Sequence, residues 1–242
     1  MEYHPRVTSE DRALKESKII LGSFPTWTLT APDLSKGETV EEKEFYRTKN
    51  RDVLFFYGSS VNKFWVWYKD FIDSSISKED IKGIQKSLKK NKIGLTDTIL
   101  SCDRKDRSSF DNDLTNRLYN HSFFKYPSEF SNVKILCTSK GVLNEMLLNK
   151  GFYSKHLKLS ANIDKSNKFQ KKIISKINGD IKKVKKPIYQ YLNYEKGGNI
   201  ECLAIPSPGS PYRGLHAFGL NNSDSDQYLQ DYLKEAFLWF KS

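Results

Sequence analysis

Residues that hold metals or cross-links are scarce in this chain. Three cysteines in 242 residues, Cys102, Cys137 and Cys202, stand far apart with no CxxC pair. That spacing excludes the usual zinc ribbon and a disulfide framework, and three thiols fall short of the four that an iron–sulfur cluster takes. All three sit beside apolar stretches and are expected to be buried packing residues. The four histidines, His4, His121, His156 and His216, include no metal-like pair, so no metal and no cofactor is expected. Long hydrophobic runs are missing as well. The opening MEYHPRVTSEDRALKESK alternates charge with polarity and has no apolar core, so neither a membrane span nor a signal peptide is expected. The expectation is an intracellular protein, in the cytoplasm or with the nucleoid or nucleus. No internal repeat and no linker divides the chain, which points to a single domain over residues 1–242 and a monomer.

Positive charge, by contrast, is abundant. Forty Lys and Arg against twenty-nine Asp and Glu give a net charge of +11, which suits a polyanionic partner through phosphate neutralisation and counterion release. Much of it lies in SLKKNK (87–92) and in the lysine-rich stretch 165–187. Both have a helical pattern, so a solvated helix face explains them as well as a nucleic-acid surface does.

Four short apolar runs read as buried strands: KIILGSF (18–24), IGLTDTIL (93–100), VKILCTS (133–139) and IECLAIPS (200–207). Helical patterns separate or follow them at 62–72, 79–91, 140–151 and 224–240, the last opening on Asp224, Ser225 and Asp226 as possible caps. Strands alternating with helices predict an α/β three-layer sandwich with a central, mainly parallel four-stranded sheet flanked by helices. Residues 152–199, lysine-rich and ending in KPIYQYLNYEKGG, read as an insertion or lid-like edge. In such sheets the ligand crevice lies beyond the carboxyl ends of the strands. The exits GSFPTW (22–27), TDTILSCDRKDRSS (96–109), TSKG (138–141) and PSPGSPYRG (206–214) are polar and rich in Gly, Ser and Pro, suited to approach a phosphate or a base by backbone.

The order of these exits resembles that of the uracil-DNA glycosylase superfamily, nearest its mismatch-specific uracil and hypoxanthine-directed branches. Gly22-Ser23-Phe24-Pro25 resembles the first motif, and Tyr57 followed by Gly58-Ser59-Ser60-Val61 and Asn62-Lys63-Phe64-Trp65 resembles the aromatic, turn and N-x-F-W element. Gly94-Leu95-Thr96-Asp97 with Arg107-Ser108-Ser109-Phe110-Asp111 is similar to the second strand and its R-x-S-x-D element, and Pro206-Ser207-Pro208-Gly209-Ser210-Pro211 to the final loop. Four positions depart from the pattern: Ser59-Ser60 replaces a His-Pro, Ile205 a histidine, and Phe24 an Asp or Asn.

What the resemblance implies is hydrolysis of the bond between a flipped base and deoxyribose in DNA, leaving an abasic site. Asn62 would position the water and Ser207 would help meet the leaving base, these two being the catalytic residues. Gly22, Ser23, Phe24, Pro25 and Tyr57 would bind the base, with Tyr57 stacking on it, a contact worth roughly 1–3 kcal/mol. Lys140, Ser210, Tyr212, Arg213 and Leu215 would face the DNA, with Tyr212 or Leu215 wedged into the gap a flipped base leaves. Since an amide cannot deprotonate water, a good leaving base such as uracil, hypoxanthine or another modified base is needed. The residues by themselves leave alternatives open. Phe64, Trp65, Trp67 and Tyr68 at helical spacing read as core anchors, Asn62 as a helix cap, and Asp97 and Asp111 as the carboxylates nearest the crevice. A noncatalytic DNA-binding relative and an enzyme of free nucleosides are the rival functions.

Overall fold

The computed structural model describes residues 1–6, 16–108, 111–120, 132–147, 159–194, 198–221 and 224–242. In chain order its longer elements are β1 (Glu2–Tyr3), β2 (Lys18–Gly22), α1 (Val40–Asn50), α2 (Phe64–Phe71), α3 (Ile81–Lys90), β3 (Ile93–Asp97), β4 (Ile99–Arg104) and β5 (Leu114–Tyr119). Then come β6 (Asn132–Cys137), a π-helical stretch (Val142–Leu147), β7 (Leu159–Ala161), α4 (Ile163–Lys176), β8 (Tyr189–Tyr194), β9 (Asn199–Ala204) and α5 (Ser225–Lys241). The fold is α/β.

All four apolar runs form neighbouring parallel strands in the order β3-β2-β6-β9. Their near-continuous Ile, Leu and Val, almost fully buried, is what a sheet covered on its faces demands. The sheet is nonetheless six-stranded and mixed, not four-stranded: β8 joins β9 antiparallel and β7 joins β8. Segment 152–199 therefore supplies a sheet edge, because YQYLNY buries Tyr189 and Leu192 and offers a ladder to β9. Helix α4, capped by the Asn162 side chain, buries Ser166, Ile173 and Ile174 and keeps its lysines in solvent. Residues 148–158 and 195–197 lie outside the described residues.

A second sheet, β1-β4-β5, was not legible in the apolar runs. The stretch expected as one strand over 93–100 divides at Thr98, whose N–H bonds to Gly22 O at 3.0 Å, and the chain passes directly from β3 in one sheet to β4 in the other. In α2, Phe64, Trp65, Trp67 and Tyr68 are buried, and Phe71 stacks on Phe237 of α5 at 5.5 Å. Asp224 caps α5 by accepting from the N–H groups of Asp226 and Gln227. The three thiols are buried and unpaired, with burial pushing that of Cys102 up to about 11. No described helix is long and apolar enough to cross a membrane.

A buried ion pair fastens the small sheet to the first strand exit. Arg104 on β4 and Glu2 on β1 meet at 3.0 Å, each side chain about 1% exposed. The same guanidinium donates to Pro25 O at 2.6 Å and lies over the Phe24 ring, while Thr30 Oγ1 donates to Glu2 at 2.9 Å. Removing one partner leaves the other charge buried and unmatched. Arg104→Ala is expected to lower the free energy of unfolding by about 3–5 kcal/mol, measured by urea denaturation.

Candidate active site

A cavity of about 570 Å³ opens at the carboxyl ends of the four parallel strands. Ser23, Phe24 and Pro25 reach it from β2, Asp97 from β3, Thr138 and Ser139 from β6, and Ser207 through Ser210 from β9. The turn 56–62 closes one side, and Asp111, Asn112 and Arg213 complete the wall. Here β2 leads to β3 on one side while β6 leads to β9 on the other, so the site lies where the strand order reverses, as expected of open α/β sheets.

Asn62 and Ser207 share this cavity, and their loops are joined: Lys63 N–H donates to Pro208 O at 2.9 Å. Asn62 Oδ1 accepts from Phe64 N–H at 2.9 Å in a turn ahead of α2, whose N-cap is Lys63 without a side-chain cap bond, so the expected cap falls one residue later than Asn62. Its Nδ2 and the Ser207 hydroxyl have no partner among the described residues. This turn bond and a ligand contact are therefore compatible in one side chain, the oxygen fixing it and the amide N–H group available to donate. Lys78 Nζ holds the same turn from behind, donating to Ser59 O at 2.5 Å.

Tyr57 occupies the left-handed region, φ 54°, a conformation that costs a non-glycine residue on the order of 1–2 kcal/mol. The neighbouring Gly58 is forced by space: a Cβ there would lie 1.9 Å from Val53 O. This tight turn sets the Tyr57 ring 4.7 Å from that of Phe64 and its hydroxyl 3.5 Å from Asp97 Oδ1, too long for a strong hydrogen bond. Burial, and next the Asp97 carboxylate, push the phenol well above its ordinary range, so Tyr57 stays a neutral donor.

Asp97 is 3% exposed and forms the floor. Its Oδ2 lies 2.8 Å from Nε2 of His4, whose Nδ1 accepts from Arg6 N–H at 3.0 Å. With Nδ1 accepting, Nε2 carries the proton and donates to the carboxylate. Gly22 makes this approach possible, since a Cβ would stand 2.1 Å from Asp97 Oδ1 and 2.7 Å from the Tyr57 hydroxyl. Gly22 thus serves the site by having no side chain and is not itself in the cavity wall.

Of the residues expected to act here, Ser23, Phe24, Pro25, Tyr57, Asn62, Ser207, Ser210 and Arg213 converge on the cavity. Three do not. Leu215 is 1% exposed and belongs to the core, so it cannot wedge into DNA; the turn 214–219 folds it inward. Lys140 lies away from the wall, its Nζ donating to Ala217 O at 2.7 Å beside the Phe218 ring, and burial lowers it to about 8. Tyr212 is 55% exposed outside the cavity, a position open to a partner. Ile205, where the resemblance puts a histidine, is fully buried. Ser109, Phe110, His121 and His156 lie outside the described residues, among which no cluster of three His, Cys, Asp or Glu able to hold a metal occurs. Sequence reasoning missed His4, which belongs to no motif and is brought in by the segment following β1.

No protein-family model, no curated protein and no solved structure matches this chain. The glycosylase family therefore remains a resemblance.

Gly22→Ala is expected to displace Asp97 and Tyr57 and to cost about 1–3 kcal/mol of stability, read from the shift of the urea midpoint. Lys140 gives a pH signature. Its folded value lies below the ordinary 10.5, so between about pH 8 and that value the unfolded chain binds more protons and stability rises with pH. Lys140→Met should flatten the rise in Tm over that window, as followed by thermal melts.

Proposed function

We propose that this protein is a monofunctional DNA glycosylase of the uracil-DNA glycosylase type, using water and neither metal nor cofactor. It would hydrolyse the bond between deoxyribose and a deaminated or modified base and leave an abasic site. In this reading the four parallel strands and their helices correspond to that family's three-layer sandwich. The observation that carries the proposal is the convergence of Asn62, Tyr57 and Ser207 in one cavity at the strand exits.

Bond cleavage develops positive character on the sugar while the base departs with the bonding electrons. Asn62 Nδ2 holds the attacking water or the base edge, and Tyr57 offers its ring to the flipped base. The Ser207 hydroxyl and the N–H groups of Ser207 and Gly209 meet the departing base. Exposed Arg213 and Tyr212, with Ser210, face the DNA, and the net charge of +11 draws the duplex or single strand to them.

A noncatalytic relative that recognises damaged or modified DNA is the second reading, favoured by buried Ile205 and by Phe24, where the resemblance supplies a histidine and an acid or amide. Oligonucleotides carrying uracil, hypoxanthine, xanthine or bulky modified pyrimidines, followed by alkali, distinguish the two. Strand cleavage at one or more of these bases, falling at least a hundredfold in Asn62→Ala, is the expected result. Tight binding of abasic or modified DNA with no base released would establish the second reading.

A further inference from the structure

The charge of the cavity opposes that of the molecule. In a chain of net charge +11, the charged side chains in the described wall are two carboxylates, Asp97 and Asp111, and one guanidinium, Arg213, which is exposed. The deepest of them is Asp97, at the end of β3. His4 holds its Oδ2 as a neutral donor, with Nδ1 already accepting from Arg6 N–H. The other oxygen has, among the described residues, only the Tyr57 hydroxyl at 3.5 Å. That oxygen, engaged only by this long contact, keeps acceptor capacity for a further donor. The absent side chain at Gly22, whose Cβ space the oxygen and the Tyr57 ring take up, is what lets the carboxylate hold this position.

From this geometry we infer that the pocket selects a base that carries a positive charge, such as a ring-N-alkylated purine, with Asp97 as the specificity-determining residue. The inference rests on the glycosylase reading of the same site and narrows its substrate class. A buried carboxylate favours a nearby cation and disfavours an anion. A uracil-type base would leave as an anion beside Asp97, whereas a cationic purine creates no anion. Its C1′–N9 bond breaks with the electron pair passing to N9, so the base departs neutral and the positive charge moves to the sugar. Water then forms the C1′–O bond and gives its proton to solvent.

Two measurements test this on the intact chain. In the first, binding of 7-methylguanosine, whose alkylated ring carries a fixed positive charge, is compared with that of guanosine and uridine by calorimetry. Wild-type protein should bind the cationic nucleoside at least tenfold more tightly than either neutral one, and Asp97→Asn, which keeps the shape and a His4 partner, should lose that preference. The wild-type comparison requires no variant and so stands even where Asp97→Asn fails to fold. Equal affinity for the three nucleosides, or no detectable binding of 7-methylguanosine, overturns the inference.

The second measurement is protein-dependent base release from oligonucleotides carrying 7-methylguanine, uracil or hypoxanthine. Faster release of 7-methylguanine, with at least a tenfold loss in Asp97→Asn, supports the inference. Release of uracil or hypoxanthine in preference, unchanged in Asp97→Asn, overturns it and leaves the glycosylase reading standing. No release of any base, with the binding preference intact, removes the glycosylase reading and leaves the cation preference in place.

Discussion

A neutral imidazole donating to a buried carboxylate, with a glycine keeping their surroundings clear, is the arrangement on which the site depends. His4 fixes Asp97 from one side, the missing side chain at position 22 admits it from another, and Tyr57 completes the floor from a turn that Gly58 alone can close. With the imidazole in place Asp97 is a fixed acceptor at the meeting point of four strand ends. The segment that carries His4 is in turn held by the Glu2–Arg104 pair, so the small antiparallel sheet, which contributes little to the cavity wall, determines what stands on its floor.

How much of this was legible in the sequence divides along physical lines. Runs such as KIILG and VKILC announce strands because a doubly covered parallel sheet leaves no polar face, and their exits announce the crevice because strand order reverses there. The exits by themselves placed Ser207 at the crevice; Tyr57 and Asn62 were expected there only through the resemblance of their element to the glycosylase pattern. Local pattern could not show pairings between weakly apolar segments. ILSCDR and LTNRLY form a sheet through alternation interrupted by register shifts, and YQYLNY extends the large sheet only because the edge of β9 is open to it. Side chains whose role depends on long-range neighbours were equally hidden. Leu215 looks exposed in a Gly-flanked loop but is turned into the core, and Lys140 looks like a phosphate contact but is committed to a carbonyl.

Asn62 shows why a local structural bond and chemistry need not compete as explanations. Its oxygen satisfies the orphan Phe64 N–H at the start of α2 from the position before the N-cap, and that bond orients the amide nitrogen. Local structure thus freezes a rotamer that a mobile loop would leave free, at no separate entropic cost for a functional geometry.

The hydrogen bond from Lys63 to Pro208 joins two loops that are distant in the chain and adjacent at the cavity mouth. Because it runs from backbone to backbone, no side-chain substitution removes it directly, and the two lips it staples must travel together.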